Sequence, residues 1–415
     1  MSTTSASSAP GPLDGIRVVE ISNWMAAPSA AALLADMGAD VIKVEPLTGD
    51  VVRKMSRPAR PDPNGPDVDA PFHADNRGKR SIAIAIDTPQ GADIVRSIVA
   101  GSDVFLCNLL PRRQARFGLD PASLFALRPG LVHATLTGYG LQGPDAERPG
   151  FDVTSFFGRG AITDASTEPG GHPPAPRSAQ GDHTTGITLV AAILAALRLA
   201  ERTGDGQIVD VSLMTTAIWT MTTELSAVLV DGRPPTKRDR FHQIAALANR
   251  YRCADDRFII LNMIEPRWWA PFCVAVGRDE WITDARFASV KSRFDHMPEL
   301  TALIDAVFAA RPLAEWGELF DRHGLIWGPA STLTDLAGDP HAAASGMFPE
   351  IDTPDGTFRT VGAPIRIEGA AIHPRGPAPL LGQHTEQVLA DVGIDASTLA
   401  DLVANGIVGT AERAT

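Results

Sequence analysis

The chain has 415 residues, 44% of them hydrophobic and 21% charged, the composition of a soluble globular enzyme with a length that predicts two domains. A formal net charge of −12 argues against a nucleic-acid-binding surface, so an anionic ligand would have to be met by a local basic cluster. The three cysteines, Cys107, Cys253 and Cys273, lack metal-like spacing; they give no disulfide framework and suit a reducing cytosol.

Residues 1–12 are rich in Ser, Thr and Ala, with no basic start and no apolar run, and read as a disordered tail rather than a signal peptide. From there strand and helix signals alternate. Residues 16–21 predict a strand, 28–37 a helix of small residues and leucines closed by Gly38, 41–45 a strand, and 81–86 another. Thr88 and Pro89 supply a cap and a first helical residue for a helix to about Ala100. A strand at 103–108, a helix opened by Asp120-Pro121, strands at 131–137 and 207–213, and a long helix at 214–230 continue the series. Strands separated by helices imply a parallel sheet covered on both faces. The apolar helix at 185–200 is too short to span a bilayer comfortably and reads as buried.

Two stretches break the rhythm. Residues 46–80 form a long, Pro-rich loop with basic residues Arg53, Lys54, Arg57, Arg60, Lys79 and Arg80, and a loop of that length is usually functional or disordered. Residues 231–240 read as a polar linker with Pro234 and Pro235. A hairpin around Asp255-Asp256 and amphipathic helices such as 313–323 follow. The expected organisation is an N-terminal part of a large domain at 13–230, a smaller α+β domain with its linkers at 231–330, and a C-terminal part completing the large domain at 331–415.

Several motifs carry chemistry. The loop Gly138-Tyr139-Gly140-Leu141-Gln142-Gly143 follows a strand and fits G-x-G-x-x-G, but Pro144, Asp145 and Pro149 follow where a dinucleotide site needs a helix. Asp152 lies just beyond, in Arg148-Pro149-Gly150-Phe151-Asp152, beside the apolar Val153, Phe156 and Phe157. By itself such an acid reads as a helix cap or an ion-pair partner; partly desolvated, it can also be a nucleophile toward an activated acyl group. Asp182 suits the cap of the helix starting near His183. After the first strand, Asn23-Trp24-Met25-Ala26-Ala27-Pro28 stands where ligands of open parallel sheets bind, and its small residues allow close approach to the backbone.

The run Arg148-Pro149-Gly150-Phe151-Asp152, the Gly138–Pro144 loop and the segment Asn108–Gly118 resemble the class III CoA-transferases, the CaiB/BaiF family that includes formyl-CoA transferase, carnitine CoA-transferase and the α-methylacyl-CoA racemases. Gly328-Pro329, Asp339-Pro340-His341, Ala363-Pro364-Ile365 and Leu380–Thr385 match the family in order, so the resemblance runs from Pro12 to about Val408. It implies a large discontinuous Rossmann-like domain, a smaller α+β domain and an interlocked homodimer. It implies a cytoplasmic enzyme with no permanent cofactor, no metal, no nucleic acid and no membrane partner. Its substrates would be an acyl-CoA thioester and a carboxylic acid, with CoA passing through a covalent aspartyl-CoA intermediate on Asp152. Asn23, Trp24, Met25, Ala27, Lys79, Arg80, Asn108, Arg116, Tyr139 and Gly140 would then bind CoA, with Arg116 on a phosphate because a guanidinium donates in pairs.

Two departures from the family pattern matter. Formyl-CoA transferases carry glutamine where Met25 stands and a glycine-rich flap that residues 238–250 lack, which weighs against oxalate as acceptor. In the racemases, a histidine occupies the position of Phe151 and the aspartate matching Asp182 is the second base; Phe151 should therefore disable two-base proton exchange. A racemase-type isomerase and a non-catalytic CoA-binding protein are the alternatives.

Overall fold

Val18, Val19, Ile21, Val41, Ile42 and Val44 are all buried, the pattern of strands covered on both faces. The computed structural model describes residues 9–55 and 67–411. Strands β1 (Arg17–Ile21) and β2 (Asp40–Glu45) flank helix α1 (Ala26–Asp36). After them come α2 (Val52–Met55), α3 (Ala70–Asn76), β3 (Arg80–Ile84), α4 (Pro89–Ala100), β4 (Val104–Cys107), α5 (Pro111–Phe117), α6 (Pro121–Leu127) and β5 (Val132–Thr137). A π-helix at Asp152–Arg159 precedes α7 (Ile162–Ala165), α8 (Gln180–Thr203), β6 (Gln207–Ser212), α9 (Leu213–Thr220) and α10 (Thr222–Asp231).

The seven-stranded sheet runs in the order Val408–Gly409, β3, β2, β1, β4, β5, β6. The pairings from β3 to β6 are parallel, with Val18 opposite both Val41 and Val104; the short C-terminal strand is antiparallel. Alternation of side chains splits the core into two layers. Val18, Val41, Val104 and Val132 face α1 and α8, while Val19, Ile42, Phe105 and Ile82 face α4 and the C-terminal helices. Every residue of α1 is buried. Its alanines let α8 approach closely: a Cβ on Gly186 would lie 3.0 Å from the Ala26 carbonyl oxygen.

The chain divides into two compact units. One comprises the described residues of Met1–Asp164, Ala175–Gly232 and His341–Thr415; the other comprises Ala165–Pro174 and Arg233–Pro340. The second unit has an antiparallel sheet of β7 (Arg250–Arg252), β8 (Phe258–Leu261) and β9 (Trp327–Pro329). Its core is rich in aromatic rings, with Tyr251, Phe272, Phe287, Phe308 and Phe320 fully buried.

The structure corrects several expectations. The single helix at 214–230 is two helices, α9 and α10, meeting at 82°. Hydroxyls of Thr220 and Thr222 donate back to the carbonyls of Ala217 and Trp219, a pattern that bends helices. The expected loop at 46–80 contains α2 and α3, the latter capped by Asp69, whose carboxylate accepts from the Phe72 amide; Arg57 and Arg60 lie outside the described residues. The helix expected at 185–200 is the 24-residue α8, long and apolar enough to cross a membrane by length and composition; its inner face packs on α1. Asp182 is not its cap: Ala179 is, and Asp182 sits in the first turn. Of the tail at 1–12, residues 1–8 lie outside the described residues; Pro10 is tied down by a hydrogen bond from the Ala371 amide to its carbonyl.

Candidate active site

Parallel strands deliver their following loops to one edge, so the segments after β1, β4, β5 and β6 converge. They enclose a cavity of about 550 Å³. Asn23, Trp24 and Met25 come from the first loop, Asn108, Leu109 and Leu110 from the second, Thr137 and Gly138 from the third and Leu213 from the fourth; Val51, Met55, Gly150–Val153, Ala179 and Asp182 complete most of the wall. The first two loops are stitched together reciprocally. The Asn23 amide donates to Asn108 Oδ1 at 3.3 Å, and Asn108 Nδ2 donates to the Asn23 carbonyl at 2.8 Å.

Trp24 stands in this loop at φ 70°, a left-handed conformation costly for a bulky residue and usually kept where the surroundings impose it. Its amide donates to Asp50 Oδ1, and Asp50 is itself buried and ion-paired to Lys43 at 2.9 Å. Lys43 also lies 3.2 Å from Glu20 and donates to the Ser22 carbonyl at 3.0 Å. Burial drives its ammonium toward the neutral form, but Glu20, Asp50 and Glu45 outweigh that and its pKa is raised. A web of buried charge thus props the loop from behind.

Asp152 opens the π-helix and is 6% exposed. Its Oδ1 accepts from the Val153 amide at 2.6 Å and its Oδ2 from the Ala179 amide at 2.7 Å. Two glycines bring it there. Gly138 and Gly150 pass so closely that a Cβ on Gly138 would lie 2.8 Å from the Gly150 Cα. Phe151, beside the carboxylate, is 49% exposed and meets Trp24 edge-to-face with centroids 5.0 Å apart. Asp182 reaches the same cavity from α8, whose Gly181 lies against Phe156 of the π-helix. Burial first, then the charge of Asp152, raises its pKa to about 7.

Of the expected ligand residues, Asn23, Trp24, Met25 and Asn108 line this cavity together with Asp152. Ala27 is buried in α1 and does not line it. Lys79 is wholly buried, ion-paired to Glu20 at 2.6 Å and bonded to Asn76 and the Pro28 carbonyl; burial lowers its pKa to about 8. Arg80 starts β3, at the opposite end of the strand from the cavity, and pairs with Asp40 and Asp391. Arg116 is exposed, with its guanidinium 5.5 Å from the Phe117 ring centre. Tyr139 lies under the guanidiniums of Arg148 and Arg159, and neither it nor Gly140 lines the cavity wall.

Among the described residues the cation lining the cavity is Arg113, which sequence reasoning passed over. The signal was present: α5 follows the carboxyl end of β4, so its first turn, carrying Arg113, faces the ligand edge, whereas Arg116 sits in its last. No cluster of three or more His, Cys, Asp or Glu side chains that could hold a metal occurs among the described residues.

A parallel sheet with a cavity at the carboxyl ends of its strands, floored by an amide-held carboxylate, defines an α/β enzyme with its ligand site at the strand ends. The chain belongs to CoA-transferase family III, whose sequence model matches residues 13–385, and it is a CoA-transferase. It is 31% identical over 385 residues to the (R)-2-hydroxy-4-methylpentanoate CoA-transferase of Clostridioides difficile, covering 92% of this chain and 96% of that protein. It is 34% identical over 384 residues to the succinate–glutarate CoA-transferase of Agrobacterium fabrum, with the same coverage of 92% and 96%. A CaiB/BaiF family protein from Brucella suis, of known crystal structure, superposes with a TM-score of 0.80 at 33% identity, covering 92% of this chain and all of that one.

Proposed function

We propose that Asp152 is the covalent carrier of this CoA-transferase. Its carboxylate attacks the thioester carbonyl of an acyl-CoA, forming a mixed anhydride and releasing CoA thiolate. The thiolate attacks the Asp152 carbonyl, giving an aspartyl-CoA thioester and freeing the first acid. The second acid's carboxylate then displaces CoA, and the thiolate's return to the new acyl group regenerates Asp152. What carries this reading is the hold on Asp152: a nearly buried carboxylate facing the cavity, each oxygen met by a backbone amide. Amides so placed can also stabilise the oxyanion that forms at that carbon. Rapid acid quenching during turnover, followed by peptide mass analysis, should find the CoA adduct on the peptide containing Asp152. An adduct on another residue, or none, sinks the assignment.

The wall of Trp24, Met25, Val51, Met55, Phe151 and Val153, with Arg113 as the cation among the described lining residues, favours apolar monocarboxylic acids as the acyl partners. Exchange of isotope-labelled 4-methylpentanoate or 3-phenylpropanoate into its own CoA thioester should outpace exchange of succinate or oxalate. Arg113 supports the CoA end: Arg113→Ala should raise the KM for acyl-CoA about tenfold with little change in kcat, as for uniform binding of a remote anion. An unchanged KM would return Arg113 to the role of a solvated charge. Asn23, Trp24, Met25 and Asn108 would line the CoA and acyl path. We place the enzyme in the cytoplasm as a homodimer; the exposed Trp219, Leu229 and Val230 of α9 and α10 suit a protein contact.

Against isomerase chemistry stands Phe151, which has no proton to move. A 2-methylacyl-CoA incubated with the enzyme in deuterated water should gain no deuterium above the enzyme-free rate, and uptake that depends on Asp182 would favour the isomerase.

A further inference from the structure

Asp182 is the second carboxyl group of the cavity, and CoA transfer through Asp152 gives it no task. It lies in the first turn of α8, held against the π-helix by the contact of Gly181 with Phe156. It is partly buried, lines the cavity with Asp152, and its carboxyl makes no hydrogen bond within the described protein. A half-buried carboxyl without a partner, facing a ligand cavity, has its hydrogen-bonding capacity available to the ligand. We propose that Asp182 receives the incoming acid, its carboxyl O–H donating to one oxygen of the acid's carboxylate while the other oxygen attacks the carbonyl carbon of the Asp152–CoA thioester. The proposal rests on Asp152 being the carrier. Atoms balance without Asp182 giving up its proton: a bond forms between the acid oxygen and the Asp152 carbonyl carbon, the carbon–sulfur bond breaks, and the negative charge leaves on CoA.

The charged and titratable groups around Asp182 support this state. Burial favours the protonated form most, and Asp75 on α3 favours it too; the charge of Asp152 adds to this in the free enzyme and is gone once CoA is esterified to it, while His183, the next residue, opposes it and is itself bonded to Asp75 at 3.0 Å. Arg113 is the cation across the cavity among the described lining residues. In the free enzyme its pKa is about 7; in the Asp152–CoA form burial still holds it up, and Asp182 is a donor on the acid side of its titration and an anion on the alkaline side. An anion there repels an acid's carboxylate, so acid capture should weaken as pH rises.

The test uses the full-length enzyme and the exchange of labelled 4-methylpentanoate, and separately of 3-phenylpropanoate, into its own CoA thioester. In the parent, KM for the acid should be flat below the pKa of Asp182 in the Asp152–CoA enzyme and climb toward tenfold per pH unit above it, as for binding that requires one proton. KM for the thioester should change little. Asp182→Asn, which keeps a neutral donor, should hold the parent's low-pH KM for the acid within about threefold and show no rise with pH. Asp182→Ala, with no donor, should have a raised acid KM at every pH. A parent KM that is flat across the range, or an Asp182→Asn profile that follows the parent's, overturns the proposal. The CoA adduct on Asp152, read in all three proteins, shows that each is folded and competent. Its presence with flat profiles fails Asp182 alone, whereas its absence from the parent fails the carrier and this inference with it.

Discussion

Asp152→Ala should lower CoA transfer by roughly four orders of magnitude or more, while acyl-CoA still binds, because the variant lacks the group proposed to carry CoA between acids. Asp152 contributes no methylene to the main cores, and the two amides that lose it, Val153 and Ala179, face a cavity that water can enter. The fold should therefore survive, with a denaturation midpoint close to the parent's. The measurement is steady-state exchange with an isotope-labelled acid, alongside acyl-CoA binding by calorimetry. Binding within a few-fold of the parent together with lost turnover is the expected pair of results. Turnover within tenfold of the parent would mean that the acyl group passes directly between substrates, with Asp152 only a structural acid.

The largest effect on stability should come from Lys43→Met. Its ammonium is fully buried and pairs with Glu20 and Asp50, which are buried too. An ion pair of this kind adds little over a well-packed apolar core, because desolvation offsets attraction, but removing Lys43 strands the buried charge of Asp50, while Glu20 keeps Lys79. The expected loss is about 3–5 kcal/mol, read from the denaturant midpoint of the larger unit's unfolding. Adding Asp50→Asn should recover part of it, since one stranded charge disappears while the amide carbonyl can still accept from Trp24. If the single variant loses less than about 1 kcal/mol, the buried charges are not coupled as the distances imply. The site should respond as well: without Lys43, Asp50 is free to turn from the Trp24 amide, and the strained loop can relax out of the cavity wall.

The sheet was legible because its strands announce themselves. Apolar runs such as Val104–Cys107, and Val18–Ile21 broken only by Glu20, permit little else, and Thr88-Pro89 and Asp120-Pro121 mark their helices at the residue. The bend between α9 and α10 was not legible. Its threonines read as ordinary helix residues until their hydroxyls are seen to bond backward. The inclusion of Ala165–Pro174 in the smaller unit has no local signal at all, since it depends on partners more than 60 residues away, such as Arg250 for Glu168. At the site, the motif around Asp152 stood out, as did the loop after β1. The amide of Ala179, the prop of Asp50 behind Trp24 and the choice of Arg113 over Arg116 are long-range facts of packing. Lys79 and Arg80 misled for the opposite reason: a basic pair in a sequence looks available, yet both are consumed by carboxylates of the fold itself.

The paired glycines beneath Asp152 divide the site into a part that can drift and a part that cannot. Any side chain at Gly138 would meet the backbone of Gly150, so the aim of the Asp152 carboxylate is locked by residues with no alternatives. Phe151, between Gly150 and Asp152 in the chain, is half exposed and meets Trp24 edge-to-face, so its replacement leaves the paired glycines untouched. Mutation can thus reshape what the enzyme accepts without moving how it reacts. In a lineage that spreads over many acids, or in a laboratory library, variation at Phe151 should alter preference long before it erodes catalysis.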